Sequence, residues 1–78
     1  MSDAIPWPTL QWYVENDGQI SIGRIGPIAC AAVANDNHHM HVALVRRTNE
    51  TLTDLLTRLD VALLDAIENQ NYVDEING

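Results

Sequence analysis

Seventy-eight residues with a formal net charge of −7 and a single cysteine narrow the possibilities early. The length predicts one domain, residues 1–78, and a core of that size rarely supplies more than roughly 3–5 kcal/mol; one cysteine excludes an internal disulfide, and the acidic balance disfavours nucleic acid and membrane as direct partners. No apolar run approaches the roughly 20 residues of a membrane span, and the first residues lack the basic and apolar regions of a signal peptide, so a cytoplasmic location is expected.

Residues 1–8 place two prolines around Trp7, and proline fixes φ and removes a donor, so this stretch is expected to be an extended arm that Trp7 anchors to the core. Residues 9–15 alternate, with Leu10, Trp12 and Val14 on one side, which predicts a strand. Asn16-Asp17-Gly18 then reads as a hairpin turn. Residues 19–25 alternate again with Ile20 and Ile22 inward, and Gly26-Pro27 ends them. Residues 28–34 predict a third strand despite four alanines; Cys30 within it reads as a small core hydrophobe. Asn35-Asp36-Asn37 is a turn, and residues 38–47 predict a fourth strand with Met40, Val42 and Leu44 on one face.

At Thr48-Asn49-Glu50-Thr51 the period changes. Thr51 with Asp54 matches a capping box, with Asn49 as an alternative N-cap. Leu52, Leu55, Leu56, Leu59, Ala62, Leu63, Ala66 and Ile67 then fall on one helical stripe. A helix over residues 51–70 is expected, followed by an acidic tail over 71–78. The fold class predicted is α+β: a four-stranded antiparallel meander over residues 9–47, ββββα in order, with one C-terminal amphipathic helix packed on one sheet face. The other face would carry Tyr13, Ala29, Ala31, Val33, Ala43 and Val45. It is small and apolar, as an interface is, so a homodimer through those six residues is expected, with edge-to-edge pairing as the alternative.

Catalytic chemistry finds little support. Nucleophilic catalysis needs a nucleophile, a base and an orienter together, and Gly23-Arg24-Ile25-Gly26-Pro27 lacks the lysine and following helix of a phosphate loop. His38-His39-Met40-His41 is the one metal-like cluster; His39 and His41 share a strand face and suit Zn²⁺, Ni²⁺ or Cu²⁺, but no Cys pair or Glu-x-x-His motif completes a site. It reads as a polar hairpin end. No enzyme activity, cofactor or metal is expected. Arg46 and Arg47, with Arg24, release too few counterions for nucleic-acid binding and read as salt-bridge partners of Glu50 or Asp54.

The charge is unevenly placed. Residues 50–78 hold seven acids against Arg58 alone, whereas residues 1–49 hold four acids against three bases. At ~100° per residue, Glu50, Asp54, Val61, Asp65 and Glu68 cluster opposite the leucine stripe, and the tail adds Asp74 and Glu75. These seven residues form the candidate partner-binding ridge, acidic with an apolar centre. A helix of this length spans ~27 Å and shows four acids on that face, a density far below that of DNA, so the ridge is expected to block a basic groove without full mimicry.

The run Glu50-Thr51-Leu52-Thr53-Asp54-Leu55-Leu56-Thr57-Arg58-Leu59-Asp60, with Tyr72-Val73-Asp74-Glu75-Ile76-Asn77 after it, resembles the C-terminal part of small uncharacterised acidic proteins of proteobacterial phages and integrative elements. The resemblance covers about a third of the chain. Mobile-element proteins of this size and acidity are similar to anti-CRISPR proteins, which bind host effectors without enzymatic action. The analogy implies an inhibitor, in a bacterial host cell, of a basic surface on a nucleic-acid-processing defence complex. The alternatives are a homodimeric structural or accessory phage protein and an antitoxin-like binding module; the strands-then-helix order is similar to HicB-type antitoxins, without their DNA-binding segment.

Overall fold

A computed structural model describes residues 7–36 and 39–77. The elements are α1 (Pro8–Glu15), β1 (Gln19–Ile25), β2 (Ile28–Asn35), β3 (Met40–Val45), α2 (Leu52–Asn69) and β4 (Val73–Asp74), and the sheet runs β1-β2-β3-β4. The α+β class and the packing of the long helix on the sheet agree with the sequence reading. The first predicted strand and the all-antiparallel meander do not.

The segment read as the first strand is a helix. Pro8 at its start supplies a preset φ and lacks only a donor that a first turn leaves unpaired anyway. Leu10 and Tyr13, three residues apart, are buried on its inner side, while Trp12 and Val14 stand 51% and 53% exposed. The alternation of Leu10, Trp12 and Val14 was therefore coincidental. Asn16-Asp17-Gly18 closes this helix rather than a hairpin: the Gly18 amide donates to the Tyr13 carbonyl at 2.8 Å, and the Asn16 side chain donates to the Trp12 carbonyl at 2.7 Å. Asp17 takes the left-handed conformation at φ 70°. Gly18 is needed for space, since a Cβ there would collide with the Tyr13 ring and carbonyl.

β1 and β2 form an antiparallel hairpin closed by the Ile25–Ile28 pair. Gly26 at φ 57° followed by Pro27 gives the φ pattern of a II′ turn, which suits the strand twist. β2 pairs antiparallel with β3, and a register shift matches Ala34 with Val42 but Asn35 with Met40. His41 is therefore an inserted residue, a bulge that re-aims its side chain.

α2 begins as expected, with Thr51 Oγ1 accepting from the Asp54 amide at 3.0 Å, and ends at Gln70 in the left-handed conformation. Leu55, Leu59, Leu63 and Ala66 of its stripe are buried against Ala32, Ala34, Val42 and Leu44. Cys30 packs against this core, as read from sequence; Leu52, at the helix start, is exposed. Within the expected acidic tail, Val73 and Asp74 form β4, which pairs in parallel with β3 through Val42–Val73 and Ala43–Asp74. Parallel strands require a crossover, and α2 provides it.

The arm expected over residues 1–8 lies outside the described residues up to residue 6. Trp7 anchors as expected: its indole Nε1 donates to Thr57 Oγ1 at 3.1 Å, and the ring packs on the core. Pro8 already belongs to α1. No helix among the described residues is long and apolar enough to cross a membrane.

Candidate functional site

The outer face of α2 carries most of the predicted ridge, but its acids fall into two groups. Glu50 is engaged within the fold. Arg58 donates to it through Nε and Nη2, both at 2.9 Å, and the Arg47 amide donates to it at 2.9 Å. Those hydrogen bonds, Arg58 first, hold the Glu50 carboxyl well below its usual range, at about 2. Arg58 also reaches Glu75 at 3.1 Å and the Val45 carbonyl at 2.8 Å. Glu75 in turn accepts from the Val45 amide at 2.9 Å. Glu50 and Glu75 thus join the helix start, the end of β3 and the segment after β4 through one guanidinium. The arginine doublet is placed differently from expectation: Arg46 Nε donates to the Glu50 carbonyl, and Arg47 lies 3.9 Å from Glu75.

Asp74 is likewise occupied. Its carboxylate accepts from the Asn77 amide at 3.0 Å, the Asn77 side chain at 3.1 Å and the Ile76 amide at 3.0 Å, which lowers its pKa and ties the last turn. Asp65 accepts from Asn69 and Asn71 at 2.7 Å each, with the same downward effect. Neither contact removes the charge. Asp54 and Glu68 have no side-chain partner among the described residues.

Between these acids the surface is apolar. Val61 is 65% exposed, opposite the leucine stripe as predicted, and Leu64 is 44% exposed. Two shallow depressions meet here. The lining of one includes Asp54, Arg58, Val61, Leu64, Asp65 and Glu68, with Arg58 committed to Glu50 and Glu75, and that of the other includes Pro8, Trp12, Leu64, Ile67 and Glu68. Leu64 and Glu68 belong to both, so Val61, Leu64 and Trp12 form one strip with an acidic rim. Sequence reasoning missed Leu64 and Trp12. Trp12 was placed inside a strand, and Leu64 follows the stripe residue Leu63, so it was passed over.

The residues assigned to a dimer interface separate. Tyr13 lies in α1 within the helix-side core, not on the second sheet face, because its segment is helical. Ala31 and Ala43 are fully buried within the single chain. Ala29 is exposed, and Val33 and Val45 are half-buried. Val33 lines a depression with Ser21, Ile25, Asn35 and Met40.

A third cluster lies where the β2–β3 turn meets the lead-in to β4. The Tyr13 hydroxyl and His41 Nδ1 are 2.8 Å apart. The rings of His39 and His41 have centroids 4.4 Å apart, and Tyr72 packs edgewise on both at 5.9 and 5.6 Å. Burial, helped by the nearby Asp36 charge, pushes the Tyr13 phenol up to about 12, so it stays neutral. His38 lies outside the described residues.

Comparison with family models, curated proteins and solved structures returned no match.

Proposed function

We propose that the chain is a non-enzymatic binding module that docks the outer face of α2 onto a protein surface whose apolar pocket is ringed by basic residues. The observation that carries this reading is the exposed Val61–Leu64–Trp12 strip rimmed by Asp54, Asp65 and Glu68. A solvated helix face has no use for a β-branched valine, which loses rotamer freedom there. An apolar centre with a polar rim is the anatomy of an interface. The net charge of −7 selects a basic partner. Proteins present such surfaces to nucleic acid, so the partner class is a nucleic-acid-binding complex and the effect of docking is its inhibition. With the resemblance to mobile-element proteins, this is an anti-CRISPR-like role in a bacterial host.

Capture from a bacterial lysate on wild-type and Val61→Lys protein, followed by competition with the captured protein's own nucleic acid, tests the reading. Docking predicts salt-sensitive capture, displacement by nucleic acid and loss in the variant. A homodimeric accessory role is the second reading, favoured by exposed Ala29 beside half-buried Val33 and Val45 on the second sheet face.

A further inference from the structure

We propose that Asp36, His39 and His41 form a binding site for a divalent first-row transition metal of the Zn²⁺ class. One ligand atom from each of the three lies within 4.8 Å of the others. They come together for identifiable reasons. The Asp36 amide donates to the His39 carbonyl at 3.1 Å, and an Asp36 carboxylate oxygen accepts from the His39 amide at 3.0 Å, so the turn itself sets those two residues side by side. The bulge in β3 then brings His41 to the same place, with its ring centroid 4.4 Å from that of His39.

The donor set fits the ion. Two imidazoles and a carboxylate suit Zn²⁺, Co²⁺ and Ni²⁺ and leave a position for water. Bonds of about 2.0–2.2 Å would draw the ligand atoms to roughly 3–3.5 Å from one another. His39 is exposed, so its side chain is free to turn toward the other two ligands without disturbing the core. His41 is already oriented. With the Tyr13 hydroxyl on Nδ1, Nε2 is the nitrogen left for an ion; with the ion there, Nδ1 carries the proton and would donate to the phenol oxygen, the kind of outer-shell bond that fixes tautomer and ring angle in metal sites. Tyr72 limits ring motion from the other side.

Isothermal titration of the full chain with Zn²⁺ at neutral pH, and the visible spectrum with Co²⁺, test the site. The expected result is saturable one-to-one binding in the micromolar range or tighter. His39→Ala and Asp36→Asn should each weaken it at least about tenfold, and Tyr13→Phe by about tenfold through loss of the outer-shell bond. His38→Ala should bind as wild type. Circular dichroism confirms folding, and exposed His39 is the substitution least able to disturb it. The proposal is overturned if no saturable binding occurs, if folded His39→Ala binds as wild type, or if His38→Ala loses the metal.

Discussion

Glu50 shows how a single residue can belong to a charged surface and still serve the fold. Its carboxylate is held at about 2 by Arg58 and the Arg47 amide, against an ordinary value of 4.5. Asp65 and Asp74 shift downward for similar reasons. A carboxyl whose folded pKa is depressed takes up its proton first in the unfolded chain, so its contribution to stability is present above the unfolded value and is lost as pH falls through the folded one. Stability should therefore decline from about pH 4.5 towards pH 2, and Arg58→Ala should flatten that decline by releasing Glu50. Thermal melts across that range, with and without the substitution, measure it; an unchanged pH profile in Arg58→Ala would contradict the assigned cause. The phase of Val61 was legible because helical spacing alone set it. The engagement of Glu50 was not, since its partner Arg58 is eight residues away and part of the same network as Glu75. The His39-x-His41 pair was legible in sequence, but Asp36 read only as part of a turn, and the bulge that gathers the three residues left no signal.

Among the elements, α2 and the three strands β1–β3 were readable, because each has several apolar residues at one period and a turn signal at its end. α1 was misread because eight residues are too few to separate periods of 2 and 3.6, and proline at the first position was the overlooked sign of a helix. β4 was illegible for a different reason: two residues carry no pattern, and its pairing depends on α2 returning the chain beside β3. α1 also depends on distant chain. With no side-chain cap of its own, it receives one from α2, where Asp60 Oδ1 accepts from the Leu10 amide at 2.9 Å. Asp60→Ala should cost about 0.5–2 kcal/mol, the range for a lost N-cap. Hydrogen exchange should quicken over α1 while the α2 core amides keep the order of their protection. Uniform loosening of both helices would show that Asp60 does more than cap.

For the whole molecule, the outer face of α2 carries Asp54, Asp65 and Glu68 beside Val61 and Leu64, and α1 extends that apolar strip with Trp12, whereas the second sheet face offers exposed Ala29 beside half-buried Val33 and Val45. Light scattering separates the two uses of these surfaces. A sheet-face dimer predicts twice the 8.7 kDa mass and its reduction by Val33→Lys; a species of single mass in the wild type leaves the face without a second copy. We propose that the chain works through the strip that runs from Val61 through Leu64 to Trp12. Quantitative capture from bacterial lysate on immobilised wild-type and Val61→Lys chains with matched thermal midpoints tests it. Exposed substitutions usually stay within about 0.5 kcal/mol, so the variant should fold. A nucleic-acid-binding protein retained by the wild type, released by salt and absent from the variant is the predicted result. The same proteins retained equally by both chains would contradict the account.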